Sequence, residues 1–195
     1  MKEFDYADFV SEERVVPDEK LGKYNIPFIV FPFTFLFIFI INHGTAGFMA
    51  AIDDFFSLQN LFLVFSAGFL FHEMLHFMAW QALTGFKIQD FRLGMRWNSF
   101  TPVICCQKPM AINAFRFGLI FPFIVMGIAP MIFAFYYVNT WFLFAGSIYM
   151  AWASADILTF ILLWNASKKS FVEMHRIKLG SIVFNPKEQL AEYIG

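Results

Sequence analysis

Two histidines and a glutamate lie within the five residues His72-Glu73-Met74-Leu75-His76, in the middle of an apolar stretch. On a helix, residues four positions apart share one face, so both imidazoles could bind a single zinc ion. Glu73 would then lie close enough to hold a water that the metal activates. Charged residues cost about 2.5–3.5 kcal/mol each at the centre of a membrane helix, and they usually mark function there. The pattern therefore predicts a hydrolytic zinc site, with packed, hydrogen-bonded histidines as the alternative.

A hydrolytic zinc ion generally has three protein ligands and a water, so the two histidines leave one ligand to be found. The acidic and histidine candidates are Asp156, Asp53, Asp54, Glu173, His43 and His175. Which of them can reach the motif depends on the elements that carry them. Iron and cobalt would also accept two histidines and one carboxylate, but the motif favours zinc.

The composition is that of a membrane protein. Of the 195 residues, 59% are hydrophobic and only 15% are charged, whereas a typical soluble domain is about 45–50% apolar and about 25% charged. Four apolar stretches approach or exceed the roughly 20 residues that cross the hydrocarbon core, and lipid offers their backbone no partners outside a helix. The predicted transmembrane helices are residues 27–43, 58–83, 111–138 and 141–164. Pro122 and Pro130 should kink the third helix.

Basic residues predict the orientation in the membrane. Lysines and arginines, apart from Arg116, occur in three stretches, namely Met1–Asn25, Lys87–Lys108 and Lys168–Lys187. Because positively charged loops stay in the cytoplasm, both termini are predicted to be cytoplasmic. The predicted organisation is an N-terminal tail at 1–26, a four-span membrane domain that contains the motif at 27–165 and a C-terminal tail at 166–195. The basic residues are scattered among acids, which argues against a nucleic-acid partner.

The membrane-surface loop at 85–110, between the second and third spans, has the pattern of a sheet. Phe86–Leu93 alternates apolar and polar residues, as a half-buried strand does, and turn-forming residues follow before the apolar run at 103–106. The turn signals are Gly94, Asn98, Ser99 and Pro102. The predicted fold is an all-α membrane protein of four transmembrane helices, with a small cytoplasmic-side β-hairpin or sheet between helices two and three.

Depth in the membrane favours Asp156 as the third zinc ligand. The second and fourth helices enter from the same outer side, which places His72 roughly 21 Å and Asp156 roughly 22 Å along their spans. The other candidates belong to the outer turn or to the inner tail. Without the motif, an aspartate at this depth would be expected to pair with Arg116 or to line a polar cavity.

Four further polar residues lie near the inner membrane surface. Asn113 and Arg116 begin the third span and could grip the backbone of a substrate, although an anchor at the membrane interface is the favoured role. The adjacent Cys105 and Cys106 lack the two-residue spacer of zinc-binding pairs and cannot build a disulfide framework. We expect these two cysteines to be packed or interfacial thiols.

The chain resembles the site-2 type of intramembrane zinc metalloprotease and, more closely, a family of small bacterial membrane proteins described as "putative zincin peptidases". The resemblance extends over residues 21–185. It rests on the motif at 72–76, a proline-bearing stretch at 105–122, and Ser154-Ala155-Asp156-Ile157 in a later helix. In site-2 proteases a glycine usually follows the aspartate, whereas in this chain Ile157 does.

The residues and the resemblance together predict a zinc-dependent metallopeptidase embedded in the bilayer of the bacterial cytoplasmic membrane. His72, His76 and Asp156 would bind zinc, Glu73 would be the general base, and the substrate would be a membrane protein or peptide. One alternative is a non-proteolytic metal-binding membrane protein or transport-accessory subunit. Another is a metal-dependent hydrolase of a lipid. Glu73 distinguishes the peptidase from the first alternative, because a protein that only binds metal needs no general base.

Overall fold

The computed structural model describes residues 4–45, 48–49, 52, 55–96, 101–175 and 177–188. Most of these residues are helical, and their strands form two small antiparallel sheets. The predicted combination of apolar helices with a small sheet is confirmed. Four residues that the sequence singles out lie outside the described residues, namely Asp53, Asp54, Asn98 and Ser99.

Seven α-helices lie within the described residues. They are α1 (Asp18–Val30), α2 (Thr34–His43), α3 (Leu58–Thr84), α4 (Ile112–Pro122), α5 (Ala129–Tyr137), α6 (Thr140–Trp152) and α7 (Ser154–Leu163). Among the helical stretches of the described residues, three are long and apolar enough to cross a membrane, and the bent pair α6 and α7 makes a fourth if it counts as one span. These three to four apolar helices are compatible with a membrane protein. The count of four spans stays a prediction.

The first long helix begins earlier than the apolar stretch that predicted it. It runs over Glu19–His43, with a short 3₁₀ turn at Phe31–Phe33 joining α1 to α2. Its first turn contains Glu19, and negative charge is favourable at a helix N-terminus because of the helix dipole. Helical structure therefore extends from the apolar stretch into the charged segment before it.

The third long helix, Ile112–Tyr137, is irregular at its centre. A π-helical segment, Phe123–Ile128, joins α4 to α5 and lies between Pro122 and Pro130. A proline has no backbone N–H, so the carbonyl group four residues before it loses its helical partner. The sequence predicted a kink here, and the structure places a π-helix between the two prolines. The carbonyl groups freed in this way are available to other elements.

The larger sheet joins segments from both ends of the chain. Its strands are β1 (Phe9–Val15), β4 (Met110–Ala111), β5 (Phe171–Met174) and β6 (Gly180–Pro186). All neighbouring pairs are antiparallel, in the order β1-β6-β5-β4. β1 pairs with β6 along its whole length, with Phe9 opposite Pro186. A strand from the N-terminal segment is thereby fixed to the end of the chain that follows the last apolar helix.

The smaller sheet is a hairpin between α3 and α4, and its location on the cytoplasmic side stays a prediction. β2 (Phe91–Arg96) pairs with β3 (Thr101–Cys106), so that Phe91 lies opposite Cys106. The first strand begins later than the alternating pattern suggested, because Asp90 holds the preceding turn. Its carboxylate accepts hydrogen bonds from the Lys87 backbone N–H (2.9 Å) and from Lys108 (2.6 Å). Both bonds lower the pKa of Asp90, and the bond from Lys108 has the larger effect.

Two clusters of buried residues hold the helices that surround the motif. The cluster with Trp80, Phe115 and Leu163 joins α3, α4 and α7 to one face of the larger sheet, where Val172 and Val183 complete it. A smaller cluster of Val16, Leu158 and Leu179 packs α7 against the segments that flank the larger sheet. α7 is therefore packed with the motif-bearing α3 and with α4 in the first cluster, and with the residue that follows β1 in the second.

Candidate metal centre

α3 places the three motif residues in the interior of the protein. Its N-terminus is capped by the Ser57 side chain, and Gly85 ends it in the left-handed conformation, so the helix is continuous through the motif. His72, Glu73 and His76 are 4%, 8% and 4% exposed. One ligand atom from each of the three lies within 4.8 Å of the others, and the two Nε2 atoms are 3.2 Å apart.

α7 brings Asp156 to the same point. This residue lies in the first turn of α7, directly after the 46° bend that separates α7 from α6. Its Oδ2 atom is 3.0 Å from Nε2 of His72 and 3.3 Å from Nε2 of His76. The structure thus brings together the two residues that the depth argument placed at one level. The Asp156 side chain is 22% exposed and both imidazoles only 5%, so Asp156 is the least buried of the three.

The three ligand atoms lie within a few tenths of an ångström of the spacing in a tetrahedral zinc site. Zinc–nitrogen and zinc–oxygen bonds of about 2.0–2.1 Å put neighbouring ligand atoms about 3.3–3.4 Å apart. The observed edges are 3.0 Å, 3.2 Å and 3.3 Å. A triangle of two imidazole nitrogens and a carboxylate oxygen is also a donor set that zinc accepts. The residues present therefore fit a zinc ion.

A backbone carbonyl fixes the orientation of His76. Its Nδ1 donates a hydrogen bond of 2.8 Å to the carbonyl oxygen of Gly118 in α4, so the neutral ring carries its lone pair on Nε2, which lies in the triangle. Gly118 lies four residues before Pro122, whose missing N–H leaves this carbonyl without its usual helical partner. Nδ1 of His72 is also buried, and it has no hydrogen-bond partner among the residues that the structure describes.

Close packing of α4 against α3 holds the other side of the His76 ring. Trp80 stacks on His76, with ring centroids 5.1 Å apart and an angle of 17° between the planes. The indole Nε1 donates to the carbonyl oxygen of Phe115. A Cβ atom at position 118 would lie 1.9 Å from the same Nε1, so the approach of the two helices requires glycine at this position.

The hairpin supplies a hydrogen bond to Glu73. The Ile104 backbone N–H donates to Glu73 Oε2 at 2.7 Å. Gln107 N–H donates to the Asp90 carbonyl, and because bonded and non-bonded pairs alternate in an antiparallel ladder, the pair of Leu93 and Ile104 is a non-bonded one. The N–H and carbonyl groups of Ile104 therefore point away from β2, toward the motif helix. The outer edge of β3 borders the site.

Arg116 is engaged with the end of α7. Its Nη2 donates to the carbonyl oxygens of Leu163, Trp164 and Ala166, and its Nη1 donates to the Asn113 side chain. The sequence left two roles open for Asn113 and Arg116, and the observed partners are intramolecular, as an anchor requires. A grip on substrate by either residue stays a prediction.

The other third-ligand candidates among the described residues have other partners. Glu173 accepts a hydrogen bond of 2.7 Å from Tyr6. Burial is the larger cause and this contact the smaller cause of the raised pKa of Tyr6, which is about 12. His175 uses Nδ1 to accept backbone N–H groups in the turn after β5. His43 packs against Phe39 at the end of α2. Within the part of the chain that the structure describes, Asp156 is the candidate that reaches the motif histidines.

The two cysteines lie on β3 beside the larger sheet. Cys105 Sγ donates to the sulfur of Met174 at 3.5 Å, and both thiols are partly buried. Burial raises the pKa of the Cys106 thiol to about 11. Neither cysteine belongs to the group of possible metal ligands that the described residues form around the motif.

The apolar helices, with a buried His-Glu-His group against an aspartate, define a candidate metalloprotein of the membrane. The family model described as "Putative zincin peptidase" matches residues 65–171, more than half of the chain, and the chain belongs to this family. The matched stretch contains the motif, the hairpin and Asp156. No curated protein and no solved structure matches the chain.

Proposed function

We propose that this protein is a zinc-dependent, membrane-embedded peptidase that hydrolyses peptide bonds of membrane-associated proteins. The observation that carries the proposal is the triangle of His72, His76 and Asp156 ligand atoms, with edges of 3.0–3.3 Å, next to the buried carboxylate of Glu73. Membership of the zincin peptidase family supports the same chemistry. Binding alone would not require a carboxylate beside the metal ligands.

His72, His76 and Asp156 would hold the zinc ion. When bound, zinc supplies Lewis acidity, which makes a water more acidic and polarises the scissile carbonyl group. The hydrogen bond from His76 to Gly118 and the stacking of Trp80 keep the imidazole in the orientation that binding needs. The protein therefore contributes a ligand set that is largely formed in advance.

Glu73 would move the protons of the reaction. It accepts a proton from the attacking water and transfers it to the leaving amine, which is general-base followed by general-acid catalysis. The Ile104 N–H holds Oε2, and this leaves Oε1 to receive the proton. The backbone of β3 thus determines which carboxylate oxygen does the chemistry.

The outer edge of β3 is the proposed binding surface for the substrate backbone. A transmembrane helix hides its carbonyl groups in its own hydrogen bonds, so the segment to be cut must unwind. An extended segment can then pair with an exposed sheet edge, which is a common mode of peptide recognition. Because this edge contacts Glu73 through Ile104, pairing would place the substrate backbone next to the general base.

The proposed topology has four spans, with both termini in the cytoplasm and the site in the cytoplasmic half of the bilayer. The basic loops and the apolar helices support this arrangement. Water would then enter from the cytoplasm, on the side where Asp156 is partly exposed.

The experiment that tests the proposal compares the wild-type protein with Glu73→Gln, both purified in detergent. Zinc content is measured by metal analysis, and cleavage is followed by mass spectrometry on a set of peptides derived from transmembrane segments. We expect both proteins to bind zinc and the variant to lose cleavage by about 10²–10⁴-fold, the usual contribution of a general base.

Other results would contradict the proposal in different ways. Wild-type protein without zinc would remove its basis. Equal cleavage by wild type and variant would exclude Glu73 as the base. Zinc binding without cleavage of any peptide would favour the non-proteolytic alternative, and release of lipid products by the wild type alone would favour a lipid hydrolase.

A further inference from the structure

The C-terminal end of α7 is held by two arginines from other elements. Arg116 of α4 donates through Nη2 to the carbonyl oxygens of Leu163, Trp164 (2.9 Å) and Ala166 (2.8 Å). Arg14 of β1 donates through Nη1 to the carbonyl oxygen of Leu162 at 3.4 Å. We call these contacts the arginine clamp. It joins α7 to α4 on one side and to the N-terminal strand on the other.

The clamp donates to carbonyl groups at the end of α7 and just after it, of which that of Leu163 also accepts the Ala166 N–H. The last four carbonyl groups of a helix have no intrahelical donor, and near a membrane few other donors can replace it. A guanidinium group carries several donors in one plane, and its positive charge is favourable at the negative end of the helix dipole. A lysine at position 116 would keep the charge but would lose the second nitrogen, Nη1, which bonds Asn113 while Nη2 bonds the end of α7.

The position of α7 determines the position of Asp156. α7 comprises ten residues, and the 46° bend separates it from α6, so it does not inherit its direction from a longer helix. Asp156 lies in the first turn and the clamp at the last, about 10 Å apart at 1.5 Å per residue. The bend and the clamp therefore fix the two ends of the segment that carries the aspartate.

The same clamp also fixes the position of α7 relative to α4, the helix that orients His76. Arg116 and Gly118 lie on α4, two residues apart, and the Gly118 carbonyl accepts the hydrogen bond from His76. A shift of α7 relative to α4 would move the Asp156 carboxylate relative to the imidazole of His76. Zinc sites tolerate deviations of only about 0.2 Å in their bond lengths.

We propose that Arg116, assisted by Arg14, is a positioning residue for the zinc site, because it fixes α7 so that Asp156 meets the two histidines. The inference rests on the zinc-binding part of the proposed function. Loss of the guanidinium of Arg116 should weaken zinc binding by about 10–100-fold, the range seen when groups that orient metal ligands are removed. Loss of Arg14, which makes the single longer bond, should have a smaller effect in the same direction.

The test measures the zinc dissociation constant of the full chain in detergent by competition with a chromophoric chelator. The variants are Arg116→Met, Arg116→Lys and Arg14→Met, and the control is Arg92→Met, which removes an exposed arginine of β2. We expect weaker binding in the order Arg116→Met, Arg116→Lys, Arg14→Met, and no change in the control. Cobalt-loaded protein provides a second readout, because the visible absorption of bound Co²⁺ reports its coordination geometry.

A double-mutant cycle separates positioning from a general effect on stability. If the clamp acts through Asp156, Arg116→Met should cause no further loss of zinc affinity in an Asp156→Ala background. An equal loss in both backgrounds, or wild-type affinity in Arg116→Met, would overturn the inference. If Arg116→Met does not fold, Arg116→Lys and Arg14→Met answer the same question in the same cycle. Wild-type protein that binds no zinc would instead contradict the proposed function.

Discussion

At the scale of single residues, the carbonyl oxygen of Gly118 shows how the sequence orients a ligand of the candidate zinc site. Pro122 lacks the N–H that would normally bond this carbonyl, and His76 donates to it instead. The absence of a side chain at Gly118 lets Trp80 lie against α4 and stack on the same imidazole. One glycine and one proline in α4 thus orient a ligand that lies on α3.

Gly118→Ala should destabilise the protein and weaken its zinc binding. The new methyl group would overlap the Trp80 indole, and overpacking of this kind costs about 1–3 kcal/mol. Thermal unfolding and chelator competition measure the two effects. The control is Gly22→Ala in α1, where nothing lies within 4 Å of the added atom and where alanine should stabilise the helix by about 0.5–1 kcal/mol. Equal stability of the two variants would contradict the packing argument.

Asp156→Ala should weaken zinc binding by more than about 100-fold, because it removes a ligand and not merely a group that orients one. The matched control is Glu173→Ala, which removes another acidic candidate whose observed partner is Tyr6. Chelator competition on both purified variants gives the answer. Comparable losses in the two variants, or none in Asp156→Ala, would show that the third ligand is a different group.

The hairpin is the element whose backbone, more than its side chains, contributes to the proposed chemistry. Ile104→Pro should lower peptidase activity by roughly 10–100-fold, because it removes the N–H that holds Glu73, and hydrogen bonds to charged groups are worth about 1.5–3 kcal/mol. An outward-facing edge position tolerates proline, and Pro102 already occupies such a position in the same strand. Ile104→Ala keeps the N–H and should retain most of the activity. Equal activity of the two variants would exclude this role.

Burial within the hairpin should also control the reactivity of Cys106. Its pKa is raised from 9.0 to about 11, so at pH 8 the reactive thiolate should be about 100-fold scarcer than for an ordinary cysteine. In a Cys105→Ser background, we expect alkylation to be slow in the folded protein and to increase about tenfold per pH unit up to about pH 11. Because the folded state favours the neutral thiol, Cys106 stabilises the fold below about pH 9, and this stabilisation is lost as the pH rises toward 11. Equally fast alkylation of folded and unfolded protein would contradict the prediction.

At the scale of the whole molecule, the bent pair α6 and α7 determines the topology. If the pair crosses the membrane, Thr45 and Lys169 lie on opposite sides, and if it does not, they lie on the same side. Single cysteines at these positions, in a background without Cys105 and Cys106, report this through labelling of intact cells with a membrane-impermeant thiol reagent. We expect Thr45→Cys to be labelled in intact cells and Lys169→Cys only after permeabilisation. Labelling of both in intact cells would exclude four spans.

Much of the helical framework could be predicted, because its signals are local. Apolar runs of sufficient length predicted the long helices, and alternation between polar and apolar residues predicted the hairpin. Counting residues along two predicted spans put Asp156 at the depth of His72, but equal depth alone does not bring two side chains into contact, and the 46° bend before α7 was not predicted. No local signal predicted the pairing of β1 with β6, because the two strands are far apart in the chain.

The sequence by itself determined the chemistry that is available: two histidines and a glutamate on one helical face, and a single aspartate in the last apolar stretch. These depend on residue type and on the fixed rise of a helix. Only the tertiary structure decided which backbone groups serve these side chains, namely the Gly118 carbonyl, the Ile104 N–H and the end of α7. Every residue except proline carries the same backbone donor and acceptor, so the packing of the elements selects the ones that face the site.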